Sequence, residues 1–253
     1  MKLSVLIPVH NEAACIETTL QALSTHLKNE SIPYEIIVVN DNSTDDTHNV
    51  LKTIAQTNTL IHIVDRTPPN GFGLAIREGL NHITGDVVAI VMGDGSDDPL
   101  DVVASYHAIN QGYDCVFGSR FIKDGHVTEY PIHKLLLNRL ANLFIRILFG
   151  LRHNDITNAF KTYRTHVIQG CQPLLAHHFN ITVELPLKAI VRGYTYTTIP
   201  IRWRNRQTGI SKLKIREMGS RYLFIILYIF LEKWLSKGDY HKQSPHNMND
   251  TET

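Results

Sequence analysis

The stretch Val88-Ala89-Ile90-Val91-Met92-Gly93-Asp94-Gly95-Ser96-Asp97-Asp98-Pro99-Leu100 decides how this chain is read, because an apolar run stops abruptly in a turn full of carboxylates. The run predicts a buried strand that delivers Asp94, Asp97 and Asp98 to its C-terminal edge. In an open α/β sheet that edge is where ligands bind. Carboxylates gathered there repel one another unless a cation sits between them. Hard oxygen ligands suit Mg²⁺ or Mn²⁺, which also hold substrate phosphates, better than zinc. The same residues equally suit a plain helix start, with Ser96 or Asp97 capping a helix that opens near Pro99.

Working outward, a second acidic turn follows a second apolar run: Glu35-Ile36-Ile37-Val38-Val39 ends in Asn40-Asp41-Asn42-Ser43-Thr44-Asp45-Asp46-Thr47 before helical spacing resumes. The first unit of this kind is Leu3–Val9, leading through His10-Asn11-Glu12 into a helical pattern over Ala13–His26. Asn70-Gly71-Phe72-Gly73-Leu74-Ala75 opens a further helix before the Val88 strand. Repeated strand, polar turn and helix imply a doubly wound, Rossmann-like, mostly parallel sheet whose strand ends converge on one rim. For Asp41, an Asx-turn before Ser43 and Thr44 competes with a ligand-binding role.

With 253 residues, 43% apolar content and a formal charge of +1, the chain can bury a full core as one main domain and lacks the positive charge of a general nucleic-acid binder. Cys15, Cys115 and Cys171 are widely spaced and form no CxxC pair, which argues against a disulfide framework or a zinc site and for a cytoplasmic setting. Met1-Lys2 runs straight into a strand, unlike a signal peptide. Polar residues 239–253 read as a disordered tail.

The second half changes character. Over Lys134–Leu151 the residues Leu136, Leu137, Leu140, Leu143, Phe144, Ile147, Leu148 and Leu151 fall on one helical face, the pattern of an amphipathic helix packed on a core. Tyr222–Leu231 is continuously apolar but far short of the ~20 residues a membrane span requires. Its flanks, Arg216 and Arg221 before and Lys233, Trp234 and Lys237 after, suit anchoring at a membrane surface as well as core packing. Between Ile201 and Arg221 stand seven Lys or Arg (Arg202, Arg204, Arg206, Lys212, Lys214, Arg216, Arg221) and one acid, Glu217. Such a cluster is either a solvated face or a place that draws phosphate.

In these residues the chain resembles the family 2 glycosyltransferases of the GT-A fold, and within them the polyprenol-phosphate sugar transferases of the dolichol-phosphate mannose synthase type. The resemblance covers nearly the whole ordered chain. It rests on Ile7-Pro8-Val9-His10-Asn11-Glu12, the Asp41 turn, Gly71-Phe72-Gly73-Leu74-Ala75, Gly118-Ser119-Arg120-Phe121, Asp155-Ile156-Thr157-Asn158-Ala159-Phe160-Lys161, and Arg206-Gln207-Thr208-Gly209-Ile210-Ser211-Lys212-Leu213. Each is weak alone; together, in this order, they are specific. The resemblance implies a GT-A domain over 1–215, a C-terminal amphipathic helical segment over 216–238 and the tail beyond. It implies transfer of a hexose, with inversion, from a GDP- or UDP-linked sugar to a polyprenyl phosphate. Pro8, Asn11, Glu12, Asp41 and Gly71 would form the nucleotide pocket. Asp94 and Asp97, with Asp98 as a third candidate, would hold Mg²⁺ or Mn²⁺. Arg120, Lys134, Arg206 and Lys212 would meet phosphate.

The chain departs from the family pattern twice. Gly93 and Gly95 stand where the usual Asp-x-Asp metal signature places its aspartates, and the carboxylates are shifted to Asp94 and Asp97. The transmembrane helices that some relatives append are also missing, so a lipid acceptor would be reached from the membrane surface or through a partner; a membrane protein and a second copy of the chain in a homo-oligomer are the candidate partners. A lipid phosphate is already ionised and needs no strong base. A sugar hydroxyl, the acceptor of the alternative soluble transferase, would need one, with Asp97, Asp98 or Glu184 as candidates. A non-catalytic nucleotide-sugar-binding module is the reading outside enzymes, and a nucleotidylyltransferase ranks last for want of an early phosphate loop.

Overall fold

The computed structural model describes residues 1–205 and 215–242. In chain order the elements are β1 (Leu3–Val9), α1 (Ile16–Asn29), β2 (Tyr34–Asp41), α2 (Thr47–Thr57), β3 (Ile61–Arg66), α3 (Phe72–Leu80), β4 (Val87–Ile90), α4 (Pro99–Asn110), β5 (Cys115–Ser119), β6 (His126–Thr128), α5 (Ile132–Phe149), β7 (Lys161–Arg164), α6 (Thr165–Gly170), α7 (Ile181–Val191), β8 (Tyr196–Pro200), β9 (Arg202–Arg204) and α8 (Ile215–Leu235).

The continuous apolar runs form strands buried on both faces, as a parallel sheet covered by helices requires. Seven strands are ordered β3-β2-β1-β4-β7-β5-β8; all pairs are parallel except those of β7, which runs antiparallel to β4 and β5. Successive residues of β1 feed opposite cores. Leu6 joins Ile37, Val88 and Phe117 under α7 and α8, whereas Val5 and Ile7 join Val38, Ala89, Leu20 and Val102 under α1 and α4. The doubly wound expectation holds, and the ends of β1, β2 and β4 share one rim. Pro8 is tolerated inside β1 because Leu6 is the last residue opposite β4, so the missing N–H faces a side where pairing has ended. A second, parallel pair, β6 and β9, stands apart.

Two expectations are corrected. The apolar stripe of α5 faces outward, not into the core: Leu136 is 61% and Ile147 74% exposed, while Asn142, Ile145 and Phe149 are buried. Asn138 and Asn142 turn inward because they hydrogen-bond to Thr157 on the neighbouring loop. The C-terminal helix has two faces: Ile225, Ile226 and Ile229 are core, and Phe224, Leu227, Leu231 and Trp234 are exposed. The second correction concerns the tail. Residues 239–242 are not disordered, since Lys242 N–H donates to the Arg192 carbonyl and Lys242 Nζ to Asp114. The rest of the expected tail, 243–253, lies outside the described residues.

Candidate active site

The three strand ends expected to hold a nucleotide are tied to one another. Asn11 is in the left-handed region (φ 56°), which Asn tolerates better than most residues. Its Oδ1 accepts from Thr44 N–H at 2.7 Å, and its own N–H donates to Ser43 Oγ at 3.0 Å. Glu12 N–H donates to Thr47 Oγ1 at 2.9 Å. Asp41 is buried and caps nothing. Its Oδ1 takes the Arg66 guanidinium, its register mate on β3, and its Oδ2 accepts from Gly71 N–H at 2.7 Å. Gly71 fits only as glycine, because a Cβ would stand 2.3 Å from the His177 carbonyl oxygen. Arg66 is absent from the residues expected at the site, although it ends an apolar strand on the same rim.

At the acidic turn the three aspartates separate. Asp94 lines the cleft and accepts from Ser96 N–H at 3.1 Å. Asp97 is buried, accepting from Met92 N–H at 2.9 Å. Burial pushes its carboxyl up to about 7 against that hydrogen bond, and the charge of Asp94 adds to the rise. Asp98 is neither with them nor free. It caps α4 through Leu100 N–H at 2.9 Å and pairs with Arg202 at 3.2 Å, so the helix-cap reading is correct in kind but falls on the wrong residue. The shift of the carboxylates has a steric cause. A Cβ at Gly93 would lie 2.5 Å from Val9 Cγ1, and Gly95 is left-handed at φ +70°.

Among the described residues no three His, Cys, Asp or Glu side chains converge on a metal position. The two strand-end carboxylates nevertheless fit a Mg²⁺-like ion shared with a diphosphate, which takes one or two protein carboxylates and completes its shell with phosphate and water. Asp97, held dry beside Asp94, is where a cation would relieve the repulsion.

Opposite them stands a cationic, aromatic wall. Arg120 is buried and held by Asp155 in a bidentate pair, Nε to Oδ2 and Nη2 to Oδ1, both at 2.8 Å. Its guanidinium lies 5.5 Å from the ring centre of Tyr130 and 5.6 Å from that of Trp203. Burial would lower its pKa, but Asp155 keeps it raised. Arg120, Tyr130 and Trp203, with Asp94, Lys134, Asn138, Thr157 and Asn158, line a cleft of about 210 Å³, and Asp155 lies behind them. Of the wall residues Asp155, Tyr130 and Trp203, none is a sequence-derived candidate; only Asp155 lies in one of the family-like motifs. Lys161 from that motif is buried beneath the cleft, and burial lowers its ammonium to about 7.

The basic cluster read from the sequence is only partly described. Arg202 is taken by Asp98 and Asp101. Arg206 and Lys212 lie outside the described residues. Glu184 is corrected as a base candidate. It is fully buried, accepts from Leu175 N–H and Ala176 N–H at 2.7 Å each, and pairs with Lys188 at 2.7 Å. It clamps the loop that packs against Gly71 and Gly73.

A second space adjoins the cleft. Between α5 and α8 runs an apolar groove of about 350 Å³, walled by Leu137, Ala141, Phe144, Leu223 and Ile226, and it shares Tyr130, Lys134, Asn138, Thr157 and Tyr222 with the polar cleft.

The chain is similar to known proteins in sequence and in fold. The family model for glycosyl transferase family 2 matches residues 4–171. A polyprenol monophosphomannose synthase from Mycolicibacterium smegmatis is 28% identical over 215 residues, 83% of this chain and 80% of that protein. A dolichol-phosphate mannosyltransferase from Pyrococcus furiosus is 28% identical over 237 residues, 92% of this chain and 64% of that longer protein. In fold, glucosyl-3-phosphoglycerate synthase from Mycobacterium tuberculosis in complex with UDP aligns with a TM-score of 0.65 at 19% identity, covering 92% of this chain and 79% of that one. Its complex with Mg²⁺ and UDP aligns with a TM-score of 0.66 at 17% identity over the same shares. With the family matched across most of the chain and the fold aligned over nearly all of it, this protein belongs to glycosyl transferase family 2 and is a glycosyltransferase of the GT-A fold.

Proposed function

We propose that the enzyme transfers a hexose, with inversion, from a GDP- or UDP-linked sugar to a polyprenyl phosphate at a membrane surface. The observation that carries this reading is the joined pair of spaces, a polar cleft with Arg120 and Lys134 on its wall opening into an apolar groove between α5 and α8. An amphiphile with a phosphate head and a hydrocarbon tail matches both; a sugar hydroxyl uses only one. The relatives named for polyprenol and dolichol phosphate point the same way.

In this reading Asn11, Glu12, Asp41 and Gly71 hold the nucleoside on the first strand ends, with Pro8 beneath. Asp94 and Asp97 would hold Mg²⁺ or Mn²⁺, which supplies positive charge to the departing diphosphate. Arg120 and Lys134 orient the acceptor phosphate, joined by Arg206 and Lys212 from the segment beyond β9. An ionised phosphate attacks without a general base, so catalysis is alignment and charge stabilisation. Glu184, locked in its clamp, is not needed. Among the described residues no helix is long and apolar enough to cross a membrane. The exposed apolar faces of α5 and α8, with Lys233 and Trp234 at one end, suit peripheral contact instead.

The test is incubation with a panel of nucleotide sugars, Mg²⁺ or Mn²⁺, and either farnesyl phosphate or a soluble oligosaccharide, with products identified by mass. A glycosyl phosphate lipid is expected. Transfer to the oligosaccharide alone refutes the acceptor assignment.

A further inference from the structure

We propose that the Thr157 hydroxyl, seconded by the Asn158 side-chain amide, donates hydrogen bonds to the phosphate of the acceptor, and that Asn138 and Asn142 aim it; this rests on the lipid-phosphate reading above. The orientation follows from a backbone group that can only donate. Thr157 N–H donates to Asn142 Oδ1 at 3.2 Å, so the other terminal atom of Asn142 is Nδ2. That Nδ2 lies 2.8 Å from Thr157 Oγ1, 2.9 Å from the Asn138 carbonyl oxygen and 3.1 Å from Asn138 Oδ1, so its two protons serve three acceptors, of which the Thr157 hydroxyl is the nearest. Asn138 therefore turns its own Nδ2 to Thr157 Oγ1, 2.9 Å away. Two N–H groups occupy both lone pairs of the hydroxyl, leaving it a donor only. No acceptor for its proton is present among the described residues.

Thr157 stands where the polar cleft meets the apolar groove, the place where an amphiphile's head joins its chain. Asn158, next to it on the cleft wall, has the same bias. Its Oδ1 accepts from Phe160 N–H at 3.2 Å, while its buried Nδ2 has no partner among the described residues. A buried donor without a partner is costly to maintain and calls for an explanation. Lys161 donates from below to the Asn158 carbonyl and holds the turn in place. With Arg120 and Lys134 beside them, these groups offer hydrogen-bond donors, and a phosphate dianion is all acceptor. Thr157 and Asn158 thus add neutral, directional donors to a site whose cations supply charge but little geometry.

The experiment compares Thr157→Val, Thr157→Ser, Asn158→Asp and the parent for binding of farnesyl phosphate and, separately, of UDP and GDP with Mn²⁺, by calorimetry. Thr157→Val should weaken farnesyl phosphate about tenfold, and Thr157→Ser should restore it. Asn158→Asp keeps the oxygen that serves Phe160 N–H but replaces the donor by an anion. It should lose farnesyl phosphate at least as severely while nucleotide affinity is kept; because the new carboxylate is buried, its melting temperature is expected to fall, and the comparison of the two ligands is the readout. Parental farnesyl phosphate binding by both Thr157→Val and Asn158→Asp overturns the proposal, as does an equal loss of nucleotide, which would move the donors to the diphosphate. A parent that fails to bind farnesyl phosphate overturns it too. Binding that depends on Thr157 in a protein that forms no glycosyl phosphate lipid would leave the inference standing and sink the proposed function instead.

Discussion

The strand-end rim and the wall around Arg120 are built differently. On the rim, each residue is held by a neighbour in the sheet: Asn11 by the turn after β2, and Asp41 by its register mate Arg66 and by Gly71 on the next turn. Topology brings these groups together, and several backbone bonds share the task. On the wall, Arg120 depends on Asp155, thirty-five residues further along, with Tyr130 and Trp203 arriving from other segments. The wall hangs on one buried carboxylate, Asp155, which accepts three hydrogen bonds from Arg120.

The sharpest way to break this contrast is to remove one group from each side. Asp155→Ala leaves the Arg120 guanidinium buried without its counter-ion, which costs about 3–5 kcal/mol. Asn11→Gly keeps the left-handed backbone and forfeits the exposed side-chain hydrogen bonds to Thr44 and Asp45, together about 1 kcal/mol. Urea unfolding should show the first loss several times the second; equal losses would erase the distinction.

Within the rim, Asp94→Ala and Asp97→Ala should each lower transfer by about 100-fold or more if they hold the ion on the diphosphate. They should differ in stability. Asp94→Ala leaves the melting temperature in place, whereas Asp97→Ala strands the Met92 N–H and lowers it. The burial of Asp97 makes the difference. Chelation should abolish transfer and Mn²⁺ restore it. Parental rates in both variants would remove the metal assignment.

The same contrast explains what was legible. The β-branched stretch Ile36–Val39 announces a two-sided buried strand, and a strand followed by a polar turn places Asn11, Asp41 and Asp94 on one edge by connectivity alone. Side-chain partners are not written locally. Asp98 rather than Ser96 or Asp97 caps α4 because backbone geometry, not residue type, selects the cap. The helix α5 reads inside out for a physical reason: an apolar stripe marks the face that leaves water, and it does not say whether protein or something else covers it. Inward Asn138 and Asn142 become intelligible only once Thr157 stands opposite them.

That outward stripe gives the next test. Replacing Leu136, Ile147 and Phe224, all more than half exposed, by serine should change folding stability little, within about 0.5 kcal/mol per site. The parent should co-sediment with vesicles containing anionic lipid, less so in high salt, and the triple variant should not. Ile145→Ser, on the buried side of the same helix, should unfold the protein more readily instead. A parent that ignores vesicles assigns the stripe to a protein partner.

The smallest effect belongs to the far end of β2, away from the cleft, and it isolates the scaffold of the rim from the chemistry on it. Burial would raise the pKa of Glu35, but hydrogen bonds from Lys2, Ser4 and Thr84 outweigh it and hold the carboxyl at about 2 rather than 4.5. These bonds, at 2.6–2.8 Å, fasten β1 and the turn before β4 to β2. Because the folded value is depressed, the stabilisation is fully present above about pH 4.5 and drains away as the pH falls toward 2. Glu35→Gln keeps an oxygen for Ser4 and Thr84 but removes the charge. Urea midpoints measured from pH 5 to 2 should therefore fall more steeply in the parent than in the variant, by a difference of at most one proton. At neutral pH the variant should bind farnesyl phosphate as the parent does, since nothing on the acceptor wall touches Glu35. Parallel acid limbs would show that the four hydrogen bonds are not charge-assisted, and altered acceptor binding would show that rim and wall are one mechanical unit after all.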